Sequence, residues 1–84
     1  MSMNKLLVEI YVPSIGHSFD VFIPRDARAF ELLPLITAAV AKLSDGLFIP
    51  NNAALCNGNT GSIYANNMTV DDMQLINGSR LMLI

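Results

Sequence analysis

From Arg28 to Ser44 the chain reads RAFELLPLITAAVAKLS, and this stretch limits what the remaining residues can build. Phe30, Leu33, Ile36, Val40 and Leu43 recur at steps of three and four, the spacing that lines one side of an α-helix. Alanines fill much of the rest and leave Glu31 and Lys42 to face water. Asp26 precedes the run as a candidate cap for the orphan N–H groups, and Gly46 follows it as a candidate C′ residue. Pro34 is the objection. It supplies no N–H, and its ring crowds the carbonyl four residues back, a cost of roughly 3 kcal/mol in a helix interior. A first turn beginning near Ala29 or Phe30 lessens that cost, because N–H groups there are unpaired in any case. The sequence therefore predicts a helix that starts late or bends near Leu33 and is regular from Leu35 onward.

With 84 residues in all, residues 1–84 form one domain with no room for a second core. The chain is 52% hydrophobic and 14% charged, the balance of a folded domain and not of a disordered tail. A domain so small keeps many apolar residues near its surface, which favours a partner-binding face. Lys5, Arg25, Arg28, Lys42 and Arg80 are scattered in a chain of net charge −2. No basic stripe results, so nucleic acid is excluded as a partner. The lone Cys56 rules out an internal disulfide framework and fits a reducing cytoplasm. The opening MSMNKLLVEIYVP has a short apolar part carrying Glu9 and no small-residue cleavage site, unlike a signal peptide. No apolar run approaches the ~20 residues of a membrane span. The expectation is a cytoplasmic domain without direct membrane insertion.

Around the helix the periodicity changes. Leu6, Val8, Ile10 and Val12 alternate with Lys5, Leu7, Glu9 and Tyr11, as a strand requires. Pro13-Ser14-Ile15-Gly16 supplies a turn. His17, Phe19, Val21 and Ile23 then alternate with Ser18, Asp20 and Phe22, giving the second arm of a β-hairpin that Pro24 ends. After the helix, 45–53 reads as loop, with Leu47, Phe48 and Ile49 folding back over one end of the core. Ala54–Asn57 is a short strand and Ile63-Tyr64 a minimal one. Thr69 is placed to cap a short helical piece at Asp72, Ile76–Ser79 is a tight turn, and Arg80–Ile84 a final strand. One helix with strands on both sides predicts an α+β roll. Its first and last strands should lie parallel in the middle of a mixed sheet, with the helix across one face.

Two words in the chain resemble a known family. MTVDDMQLINGSRLMLI (Met68–Ile84) is similar to the end of ubiquitin-like β-grasp domains, in which an Asp-containing word precedes a turn and a last apolar strand. VFIPRDARAFELLPLITAAVAKL (Val21–Leu43) resembles the helix region of the YukD/EsaB family and of the N-terminal ubiquitin-like domains of EccD-type proteins. Both belong to type VII (WXG100, ESX-like) secretion systems. The shared features are the Glu31-Leu32-Leu33-Pro34 opening of the helix and the Asn77-Gly78-Ser79-Arg80-Leu81-Met82-Leu83 ending. The resemblance makes Pro34 a family habit. The Asn57–Asn67 stretch departs from it, being richer in Asn and Gly, and leaves the register of the strand near Leu55 open. The resemblance implies a non-conjugating accessory or regulatory protein of such a secretion system. Conjugated modifiers and sulfur carriers of the same fold end in Gly-Gly, whereas this sequence ends Leu83-Ile84. The alternatives are a truncated sulfur-carrier or modifier relative and a generic ubiquitin-like scaffold domain.

Nothing in the sequence assembles catalytic, metal or cofactor chemistry. His17 reads as a turn or strand-edge residue, and Cys56 as a buried strand thiol with no base marked beside it. Asp71-Asp72 lacks further ligands at metal spacing. Asn57-Gly58-Asn59-Thr60-Gly61 lacks the Lys-Ser/Thr and helix of a phosphate loop. The expectation is no enzyme and no cofactor. Strand parity, in contrast, sends Leu7, Tyr11, Phe22 and Met82, with Ile84, to the sheet face away from the helix. Leu7, Tyr11, Phe22 and Met82 are the expected protein-binding patch. Its partner is expected to be a secretion-system membrane component or a second copy of the chain.

Overall fold

The computed structural model describes residues 4–84. Its elements are β1 (Lys5–Val12), β2 (His17–Pro24), α1 (Ala29–Leu43), β3 (Leu55–Asn57) and β4 (Arg80–Leu83). They form one mixed sheet in the order β2-β1-β4-β3. β1 and β2 pair antiparallel, Val8 opposite Val21. β1 and β4 run parallel in the centre, Ile10 beside Leu81, and β3 closes the other edge antiparallel to β4, Leu55 opposite Leu83. This is the expected α+β arrangement, with the terminal strands together in the middle.

Leu6, Val8, Ile10 and Val12 of β1 are all buried, as are Val21 and Ile23 of β2 and Leu81 and Leu83 of β4. Strict alternation puts these side chains on one face, and α1 covers it with Ala29, Leu32, Ile36 and Val40. Ile36 and Val40 thus lie on the buried side as the periodicity has them, while towards both ends of the helix the buried side turns away from the stripe read in the sequence. Leu32 is fully buried and Leu33 only half-buried, while Phe30 and Leu43 are 56% and 55% exposed.

At the helix start the Ala29 N–H donates to Met68 O (2.8 Å) and the Phe30 N–H to Asn66 O (3.0 Å). These bonds fix the rotation of the first turn and bring the small Ala29 inward. At the other end Leu43 is exposed, and Phe48 from the following loop is buried in the core. Leu47 and Ile49, expected to fold back with it, are 66% and 79% exposed.

The caps also differ from expectation. Arg28, not Asp26, is the N-cap, and its N–H is received by Glu31 Oε1 at 2.9 Å. At the C-terminus Asp45 (φ 55°) occupies C′ and Gly46 (φ 83°) the next position. Asp45 N–H donates to Lys42 O and Gly46 N–H to Ala41 O, a Schellman pair. The helix begins at Ala29, where the sequence allowed its first turn, and Pro34 lies inside it, in the second turn. The carbonyl of Phe30 loses its usual i+4 donor as a result.

Candidate functional site

The helix-free face of the sheet carries the residues whose parity turns them away from the core. Leu7 lies directly opposite Phe22 on β2, and Tyr11 directly beside Met82 on β4. Phe22 is 57% exposed and Leu7 37%; Tyr11 and Met82 are half-buried. The structure therefore brings the four residues together as two cross-strand pairs.

A charged row runs between those pairs. Glu9 has Asp20 as its partner on one side and Arg80 on the other. Because successive same-face residues on a strand stand roughly 7 Å apart, this row separates Leu7–Phe22 from Tyr11–Met82. Arg80 Nε lies 3.3 Å from Glu9 Oε1, and its guanidinium carbon sits 5.0 Å from the centre of the Tyr11 ring. Both ion-pair partners are nearly half exposed, so the bridge contributes little to stability. It does orient the Arg80 plane over an aromatic face. The surface is thus apolar–ionic–apolar across the strands, and Arg80 is the member that sequence reasoning missed. Its signal was available: Arg80 has the same parity as Met82, two residues on.

The other flagged residues fall apart in space or have structural duties. His17 opens β2 and is exposed, its ring 6.4 Å from that of Phe19. Cys56 is fully buried on β3 opposite Met82, and burial pushes its thiol pKa up, away from the reactive thiolate. The Thr69 N–H donates to Asp72 Oδ2 and the Asp72 N–H to Thr69 Oγ1, each at 3.0 Å, the reciprocal pairing of a capping box, but it closes a run of turns and not the helical piece expected there. Asn57 Oδ1 receives the N–H groups of Asn59 and Thr60, so the glycine-rich loop is closed by its own side chain. A cleft of about 240 Å³ lined by Asn57, Tyr64, Leu75 and Arg80, among others, opens beside this loop. It is smaller than the ~300–1,000 Å³ usual for a small-molecule site. No group of three His, Cys, Asp or Glu residues gathers around a metal-sized space among the described residues. Nor is any described helix long and apolar enough to cross a membrane.

An α+β chain with one helix laid across a mixed sheet in this order is a ubiquitin-like β-grasp domain, and solved structures agree along the whole chain. The ubiquitin-like domain of the Mycobacterium tuberculosis type VII secretion protein EccD1 superposes with a TM-score of 0.75 at 16% identity, covering 98% of this chain and 99% of that one. The EccD5 ubiquitin-like domain from Mycobacterium xenopi gives 0.70 at 17%, covering 98% and 94%. A chain of the MycP5-free ESX-5 inner membrane complex gives 0.71 at 16%; 98% of this chain aligns with 21% of that much longer one. Ubiquitin-like domains of other proteins match about as well, so at these identities the likeness defines the fold. No family model matches the sequence, and neither does any curated protein.

Proposed function

We propose that this chain is a non-conjugating ubiquitin-like accessory protein of a bacterial type VII (WXG100, ESX-like) secretion system, of the YukD/EsaB kind. It works in the cytoplasm by protein–protein contact, without catalysis or cofactor. The observation that carries the contact mechanism is the exposed part of the helix-free sheet face, on β1 and β2 and the start of β4. Leu7 and Phe22 are exposed as a pair, and Tyr11, Met82 and Arg80 form a second cluster beside them. Phe22 and Tyr11 serve as anchors, since aromatic side chains desolvate a large area at low entropic cost. Arg80 adds a charge whose partner sets orientation. The assignment to secretion is supported by the whole-chain likeness to EccD domains and to part of a chain of the ESX-5 inner membrane complex, and by the Glu31–Pro34 and Asn77–Leu83 words.

The test is binding to the purified cytosolic part of the secretion-system membrane component. Phe22→Asp and Tyr11→Asp should abolish it while the circular-dichroism spectrum stays that of the wild type. Normal binding by the folded double variant would remove this face from the mechanism. His17→Gln and Cys56→Ser should leave biological activity intact; loss of activity in either folded variant would reopen catalysis. Intact-mass analysis of the chain from cells should show no covalent adduct with another protein. The resemblance to ubiquitin-like domains outside secretion favours one rival, a general scaffold domain, which the same binding experiment separates from the secretion reading.

A further inference from the structure

The sheet is covered on one side by α1, but α1 itself is covered only on one side. Its outer face is unusual for a surface helix. Among its fifteen residues the only ionisable ones are Glu31 and Lys42, where an exposed helix face is ordinarily rich in charge. Phe30 and Leu35 are 56% and 52% exposed, and Pro34 and Ala38 are exposed beside them. Glu31, Leu35, Ala38 and Lys42 follow one another at steps of four, three and four, which makes them one continuous stripe. The stripe has a charge of one sign near the start, the opposite charge near the end, and apolar residues between.

We propose that this stripe joins two copies of the chain, helix against helix and antiparallel about a two-fold axis. Two-fold pairing needs a self-complementary surface, and the stripe is one. In the antiparallel arrangement Glu31 of each copy meets Lys42 of the other, and Leu35 of each meets the small Ala38. The large-to-small match lets the helices approach closely. In a parallel arrangement Glu31 would face Glu31 and Lys42 would face Lys42, so the placement of charge selects the orientation. Glu31 also caps its own helix through Oε1, which leaves its second carboxylate oxygen to an approaching ammonium.

A fifteen-residue helix is about 22 Å long. The contact between two of them falls short of the ~1,200 Å² at which standard interfaces begin. The dimer is therefore transient and concentration-dependent. It also leaves the opposite face of the sheet open, so self-association and the docking proposed above are compatible.

Sedimentation velocity over a concentration series of the full chain tests this. The wild type should move from monomer to dimer as concentration rises. Lys42→Glu, which sets two carboxylates against each other at both ends, should weaken association about tenfold or more. Phe22→Asp on the sheet face should leave it unchanged. Ala38→Cys, close to the two-fold axis, should form a disulfide-linked dimer under mild oxidation; the wild type, whose Cys56 is buried, should not. All three substituted positions are solvent-facing, and circular dichroism checks that each variant folds. A wild type monomeric throughout, a Lys42→Glu variant that associates like the wild type, or loss of dimer with Phe22→Asp would overturn the proposal.

Discussion

The two halves of this domain are built by different chemistry. Residues 5–43 are two eight-residue strands, a tight turn and a fifteen-residue helix, specified by where apolar side chains recur. Residues 44–84 hold only a three-residue and a four-residue strand, and the chain between them is shaped by side chains bonding to nearby backbone. Among the described residues, seven side-chain hydrogen bonds lie wholly in the second half and two wholly in the first. Burial is cooperative and strong per residue, whereas a turn bond contributes locally and modestly. The halves should therefore respond to mutation on different scales.

The largest effects belong to fully buried side chains, which in the first half include Leu32 and Ile36. Leu32→Ala or Ile36→Ala removes a side chain with no exposed surface from beneath the sheet and should cost about 2–5 kcal/mol. Leu43→Ala, on the stripe suggested by periodicity but more than half exposed, should stay within about 0.5 kcal/mol. Urea unfolding of the three variants measures the contrast. Equal losses at positions 36 and 43 would contradict the burial described above.

That contrast also shows what the sequence made legible. Period-two and helical patterns placed β1, the Pro13–Gly16 turn, β2 and the body of α1, because those elements satisfy their backbone internally and reveal themselves through one buried side. The parallel pairing of β1 with β4 followed from element order. The rotation of the first turn of α1 was not legible, because it depends on Met68 O and Asn66 O, carbonyls nearly forty residues away. The same holds for the 76–79 turn. Asn77 Oδ1 receives the Leu7 N–H and the Gly78 N–H donates to Leu7 O, so the turn prolongs the β4 side of β1 in a way no local pattern announces. On the candidate site, parity put the four apolar residues on one face, but as two pairs and not one patch, because the Asp20–Glu9–Arg80 row divides them. That row emerges only from the register of three strands.

An intermediate effect sharpens the comparison inside the second half. Gly58 follows β3, and its N–H donates to Arg80 O at 2.9 Å. A Cβ there would stand 2.6 Å from Arg80 O and 2.7 Å from its carbonyl carbon, which is backbone in the middle of the sheet and cannot swing aside. Gly58→Ala should cost about 1–3 kcal/mol, more than most single turn bonds contribute. A variant that melts like the wild type would show that this edge yields. Below it, Thr69→Ala deletes the hydroxyl that receives the Asp72 N–H and should cost about 0.5–1.5 kcal/mol in the same assay.

The smallest effect is one of pH, and it tests the seam between the halves. Thr69 holds the Asp72 carboxyl below the usual carboxylate range, first through its backbone N–H and then through its hydroxyl, with Arg28 pulling the same way. Arg28 is also the N-cap of α1, and its Nη1 donates to Asn67 O at 2.7 Å, so the Asp72 charge bears on the start of the helix. A carboxyl whose folded pKa is depressed binds its proton more readily in the unfolded chain. Its contribution is fully present above the unfolded value, near the ordinary 3.8, and is lost as pH falls through the lower folded value. Asp72→Asn keeps an oxygen for the Thr69 N–H but gives up the charge. Thermal melts of both proteins should therefore differ at neutral pH, wild type higher, and converge as the pH drops below the ordinary carboxylate range. The group is fully solvent-facing, so the gap should be small. A gap that persists unchanged into acid would mean that shape, and not charge, joins the helix start to the second half.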